Sequence, residues 1–179
     1  MITLHLGPMF AGKTTALIRL AKEEPRSLIL RPIVDTRTPR FTVKSHDGLL
    51  MDAVATDGLD FVDVQNMDVR RILVDETQFF DKDSTIKTVD RWNWLEYDVH
   101  LFGLSLTAQG QSWPTISELA EIPGIKKVMY TANCAVCREP AIYTQRITPW
   151  GKVSPENAVG GADDYEPRCF DHWSQEPVR

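Results

Sequence analysis

Gly7-Pro8-Met9-Phe10-Ala11-Gly12-Lys13-Thr14 fits G-x-x-x-x-G-K-[ST] at every fixed position. The motif carries weight only between a strand and a helix, and the flanks supply both. Met1–Leu6 alternates and stops at a Gly-Pro turn, which predicts a buried first strand. Thr14–Glu24 places Leu17, Leu20 and Ala21 at helical spacing and is closed by Pro25. Glycines let backbone N–H groups close around phosphate oxygens, and the helix N-terminus adds the positive end of a dipole. Lys13 is then predicted to reach the β- and γ-phosphates, and the Thr14 hydroxyl to ligate Mg²⁺. The stretch predicts a nucleoside triphosphate site.

Further strands are predicted at Ser27–Leu30, Ile72–Val74, Val99–Leu104 and Lys127–Tyr130. Asp83–Glu96 repeats Ile86, Val89, Trp92 and Leu95 every third residue, an amphipathic helix, and Thr115–Ala120 reads as a short one. Strands alternating with helices predict an α/β fold with a mostly parallel sheet. Asp35–Gly48 has no periodicity and holds Arg37, Arg40, Lys44 and His46, so it reads as a basic loop.

The strand at Ile72–Val74 ends in Asp75-Glu76. An Asp at the end of such a strand, beside a phosphate loop, is suited to hold Mg²⁺ or its water. Glu76 then lies near the γ-phosphate as a general base, taking a proton from a substrate hydroxyl or from water. The residues alone leave both open, so an ATPase acting on nucleic acid or a protein partner is the alternative from another class.

All three cysteines fall after Thr131, together with Pro140, Pro149, Pro155, Pro167 and the Gly160-Gly161 pair. Cys134-x-x-Cys137 and Cys169-x-x-His172 supply three thiolates and one imidazole, a closed tetrahedral set for structural Zn²⁺. This texture predicts a nucleotide-binding unit over residues 1–130 and a zinc-clipped unit over 131–179. His5 and His100 lie in strand patterns and read as packing or surface residues. Trp92, Trp94, Trp150 and Trp173 read as packing or interface residues.

The chain of 179 residues is 42% hydrophobic and 25% charged, the balance of a globular protein rather than a disordered one. Its net charge of −5 argues against nonspecific nucleic-acid binding. No apolar run approaches the roughly 18 residues of a membrane span. No basic stretch precedes the apolar N-terminus. The expectation is a cytoplasmic chain with no membrane and no nucleic-acid partner.

These motifs in this order resemble the zinc-containing (type II) thymidine kinase family. The likeness rests on Gly7–Thr15, Asp35-Thr36-Arg37, Ser45-His46-Asp47, Asp75–Phe80 (DETQFF), Cys134–Cys137, Tyr143–Arg146 and Val159–His172. The resemblance implies a phosphate-loop parallel sheet with a small zinc-binding lasso, and transfer of the ATP γ-phosphate to thymidine. Glu76 matches the family's base, Asp75 and Thr14 its Mg²⁺ groups and Lys13 its phosphate lysine. Asp35, Thr36, Arg37 and Gln78 match nucleotide-contacting segments, with Arg37 offering charge over the phosphates. Tyr165 matches the tyrosine that packs on the base. Glu156, Asn157, Ala158, Val159 and Gly160 match the lasso that reads the thymine edge, and Met9 and Thr144 the pocket of the 5-methyl group. Family members are typically tetramers inhibited by thymidine triphosphate (dTTP). One stretch departs: Ala108 falls where a base-packing Phe is expected, and Trp113 replaces a later Phe.

Overall fold

The computed structural model describes residues 1–35, 41–45, 47–150 and 160–178. Thr36, Arg37, Arg40, His46 and the lasso residues Glu156, Asn157, Ala158 and Val159, named above, lie outside them.

Six strands form one sheet: β1 (Ile2–Gly7), β2 (Ser27–Pro32), β5 (Val54–Thr56), β6 (Arg71–Val74), β7 (Asp98–Leu104) and β8 (Lys126–Met129). Their order is β5-β2-β6-β7-β1-β8, and every neighbouring pair is parallel. The sheet is therefore wholly parallel, and both faces are covered, as the near-continuous burial of β1 and β6 requires. Ile2, Leu4, Leu6, Leu30, Ile72, Val74, Val99 and Leu101 point to one face, under α2 (Lys82–Trp94) and α3 (Pro114–Ala120). Ile29, Leu73 and Phe102 point to the other, under α1 (Lys13–Glu23). No helix among the described residues is long and apolar enough to cross a membrane.

Local chemistry sets the helix ends. Gly12 caps α1 at φ +79°, in the left-handed region where a Cβ is penalised. The Asp81 carboxylate accepts from the Ser84 N–H (2.9 Å) to start α2. Pro114 opens α3, where its missing N–H is not needed. The basic stretch is more ordered than the sequence suggests. An antiparallel hairpin, β3 (Thr42–Lys44) with β4 (Leu50–Asp52), occupies part of it. Val43 and its partner Met51 face the α1 side of the sheet, while Leu50, opposite Lys44, is exposed.

After β8 the chain pairs with itself. β9 (Ala132–Asn133) pairs with β10 (Pro140–Ala141), and β11 (Tyr143–Arg146) with β12 (Tyr165–Arg168), both antiparallel. Gly7 is a glycine because of this turn of the chain: a Cβ there would stand 2.6 Å from the Tyr130 carbonyl oxygen.

His5 and His100 do more than pack. His5 Nδ1 is 2.9 Å from the Tyr130 hydroxyl and its Nε2 is 2.9 Å from His100 Nδ1. His100 Nε2 faces Asp98 Oδ1 at 3.3 Å, and Asp98 Oδ2 accepts from Arg71 Nε at 2.7 Å. The His5 ring stacks on Phe102 with centroids 4.2 Å apart. Burial, and then the neighbouring His100 and Lys126, push the His5 pKa from 6.5 to about 4. The unfolded chain thus binds a proton on His5 that the folded chain refuses between those values. Stability from a neutral His5 is complete above pH 6.5 and falls as pH drops toward 4. Denaturant unfolding at pH 7 and pH 4.5 is expected to show His5→Gln losing about 2 kcal/mol less on acidification than the parent. Equal losses in both proteins would contradict this reading of His5.

Candidate functional site: a phosphate loop facing a carboxylate pair

The carboxyl ends of β1, β6 and β7 meet on one edge of the sheet, where ligands of open α/β folds sit. There a cleft of about 380 Å³ opens over the loop that joins β1 to α1. Its walls hold the predicted residues Met9, Phe10, Ala11, Gly12, Lys13, Thr14, Asp35, Asp75 and Glu76. They also hold residues the sequence reading did not assign, among them Thr15, Arg31, Asp47 and Leu104.

Lys13 is buried, and its ammonium group donates to the carbonyls of Gly7 (3.1 Å) and Pro8 (2.7 Å). Gly7 and Pro8 thus serve the lysine from behind rather than lining the cleft. Phe10 adopts φ +64°, a left-handed conformation seldom taken by a residue with a Cβ, and it turns the loop around the cleft. The Thr14 hydroxyl lies 3.5 Å from Asp75 Oδ2, and Thr15 donates to Asp47 Oδ2 at 3.0 Å. Thr14 and Asp75 therefore face each other across the cleft as two oxygen donors, the chemistry a hard cation such as Mg²⁺ asks for.

Glu76 follows β6 at φ +49°, held in the left-handed region with its N–H on Asp75 Oδ1 at 3.1 Å. The Gln78 amide donates to Glu76 Oε2 at 2.5 Å, and its carbonyl accepts from the Leu104 N–H at 3.1 Å. Gln78 is absent from the cleft walls. It stands behind Glu76 and ties its carboxylate to the end of β7.

Arg31 is the largest residue missed. It is 2% exposed and closes the cleft from β2. Its guanidinium meets the Asp35 carboxylate at 3.3 Å, bonds to the Asp35 carbonyl and donates to the Thr42 carbonyl at 2.5 Å. An arginine directly after an apolar strand pattern carries no local sign that it faces a ligand cleft.

The nucleoside candidates divide. Thr144 Oγ1 accepts from the Met9 N–H at 3.0 Å, so these two predicted residues meet. Gly160 lies against Tyr165, whose ring a Cβ at 160 would approach to 2.8 Å. The Arg146 guanidinium sits 4.8 Å over the Tyr165 ring and also reaches Asp164 at 3.4 Å. Ala108 is buried, with its carbonyl accepting from Trp173 Nε1 at 3.1 Å. Trp113 is packed into the α2/α3 core, edge-on to Phe79 at 5.5 Å. Neither Ala108 nor Trp113 lines the cleft.

Cys134, Cys137, Cys169 and His172 bring one ligand atom each to within 4.8 Å of one another. Cys137 Sγ is 3.6 Å from Cys169 Sγ, and His172 Nδ1 is 3.2 Å from Cys169 Sγ and 3.9 Å from Cys134 Sγ. A tetrahedron with Zn–S bonds of about 2.3 Å has edges of about 3.8 Å, so the donor set fits Zn²⁺. Burial pushes the Cys134 thiol up, but backbone N–H groups of Cys137, Cys169 and Val136 outweigh it and bring the thiol down to about 6. Cys134 and Cys169 form a small core with Ala132 and Ala141, and Ala11 of the phosphate loop packs on it.

Fold and site together define a phosphate-loop α/β protein carrying a Cys3His metal-type cluster. A family model described as thymidine kinase matches residues 1–173. A thymidine kinase of Pyrobaculum aerophilum is 32% identical over 186 residues, covering 97% of this chain and 98% of that protein. One of Thermococcus kodakarensis is 32% identical over 180 residues, covering 93% and 90%. The chain belongs to the thymidine kinase family.

Elemental analysis of freshly purified protein is expected to give one zinc per chain, and Cys134→Ser to lower it at least tenfold. Active protein containing no metal would contradict the assignment.

Proposed function

We propose that this chain is an ATP-dependent thymidine kinase, transferring the ATP γ-phosphate to the 5′-hydroxyl of thymidine, and of deoxyuridine, to give the monophosphate. The observation that carries it is Glu76, aimed by Gln78 at the cleft that the phosphate loop encloses. A family match over residues 1–173 supplies the class of reaction.

In this reading the backbone N–H groups of Phe10, Ala11 and Gly12, with Lys13, bind the phosphates. Thr14 and Asp75 would hold Mg²⁺, which neutralises charge on the β- and γ-phosphates when bound. Glu76 takes the proton of the 5′-hydroxyl as that oxygen bonds to the γ-phosphorus. The bond to ADP breaks, and ADP leaves with the electron pair. Asp35, Thr36 and Arg37 cover the phosphates. Met9, Thr144, Tyr165, the loop of Ala108 and residues 156–160 form the nucleoside side. Residues 1–130 act as the nucleotide-binding unit and 131–179 as the zinc-binding unit. We further propose a cytoplasmic homotetramer inhibited by dTTP.

Excluding water matters for such an enzyme, because hydrolysis of ATP competes with transfer. Glu76→Gln is expected to lower turnover at least a hundredfold while ATP affinity stays within about threefold, because the amide fills the same space but accepts no proton. Turnover within tenfold of the parent would remove Glu76 from the role of base. A nucleoside panel with radiolabelled ATP is expected to show phosphorylation of thymidine and deoxyuridine and refusal of deoxyadenosine and deoxyguanosine. ATP turnover stimulated by DNA and not by nucleosides would overturn the reading.

A further inference from the structure

We infer that Trp173 is a positioning residue for the Thr107–Gln111 loop and thereby sets nucleoside affinity; the second half of this rests on the kinase reading above. The loop follows β7 directly and is closed on itself. Thr107 N–H donates to the Gln111 carbonyl at 2.7 Å, and Gly110 N–H to the Thr107 carbonyl at 3.0 Å. Gln111 N–H donates to Thr107 Oγ1 at 3.1 Å. Its Ala108 offers a methyl group and no ring. Trp173 comes from the far end of the sequence, beside the zinc-type ligand His172, to supply the missing anchor.

Its indole N–H donates to the Ala108 carbonyl at 3.1 Å. Its six-membered ring covers Gly110, where an added Cβ would lie 2.6 Å from Cη2 and 2.8 Å from Cζ2. Gly110 has φ +77°, so both backbone and space at this position call for glycine. The indole also stacks on Tyr143, with centroids 4.5 Å apart and planes at 16°. Tyr143 precedes Thr144, the partner of the phosphate loop.

Trp173 is itself held on both sides. His172 belongs to the Cys3His cluster. The next residue, Ser174, donates its N–H to Gln145 Oε1 at 2.7 Å, and the fully buried Gln145 also donates to the Glu176 carbonyl at 2.9 Å. The loop therefore rests on a side chain fixed by the cluster and by β11. At its other end the loop runs back to Leu104, which Gln78 ties to Glu76. A loop preorganised in this way binds its ligand without first having to be ordered.

The test uses zinc-loaded full-length protein with two readouts, amide hydrogen exchange in the loop and steady-state constants for thymidine and ATP. Trp173→Ala is expected to speed exchange at Gly110 and Gln111 at least tenfold. It should raise the thymidine KM about tenfold and leave kcat and the ATP KM within twofold. Trp173→Phe, which keeps a ring but loses the N–H, should fall between. Gly110→Ala should also raise the thymidine KM, and less so in the Trp173→Ala background, where the indole it strikes is gone. If Trp173→Ala fails to fold or load zinc, the Phe and Gly110 variants carry the same comparison. Unchanged loop exchange, or equal rises in the thymidine and ATP constants, would overturn the inference. Faster loop exchange in a protein whose parent never phosphorylates thymidine would keep the positioning role and remove the kinase reading instead.

Discussion

The Met9 amide ties the phosphate loop to β11, in the segment that follows the parallel sheet. A phosphate loop must present its backbone N–H groups in a fixed arc, and Met9 spends its own on the Thr144 hydroxyl of β11. Two residues later Ala11 packs on the small apolar core of Ala132, Cys134, Ala141 and Cys169, which includes two of the Cys3His residues. The loop thus has the sheet beneath it and the cluster-bearing segment beside it. Gly7 adds a third constraint, because the chain leaving β8 passes so close that no side chain fits there. Loop shape is set by tertiary contacts as well as by its glycines.

The same economy appears at the carboxylate pair. Glu76 sits in left-handed backbone, where a residue with a Cβ is strained, and such strain persists only when the surroundings overdetermine it. Here the surroundings are Asp75, which takes the Glu76 N–H, and Gln78, which takes its carboxylate. Gln78 in turn holds Leu104, so the end of β6 and the end of β7 move as one piece. A sheet with both faces buried makes that piece rigid.

The readable features are those whose physics is local. Lys13, Thr14 and Gly12 are forced by loop geometry at fixed spacing, and Asp75-Glu76 by a strand that ends in acids. The Cys3His residues come in two knuckles, each contained within four residues. Features that depend on distant chain were not readable. The β3–β4 hairpin has three residues in each strand, too few for a period to be read along the sequence. Arg31 looks like the polar residue just past an apolar strand until Asp35 and Thr42 are seen around it. Gln78 looks like a cleft residue until Leu104 is seen behind it. Trp173 meets the Ala108 loop across 65 positions of sequence, and no pattern along the chain connects them.

If the phosphate loop owes its arc to β11, Thr144→Val must weaken ATP binding although Thr144 does not line the ATP cleft. The substitution keeps the shape and removes the acceptor, leaving the Met9 N–H without its partner at a cost of about 1–3 kcal/mol. The decisive measurement is calorimetric titration of ATP into zinc-loaded Thr144→Val with no nucleoside present. The account predicts a Kd about tenfold above the parent's at unchanged zinc content, and an unchanged Kd would contradict it.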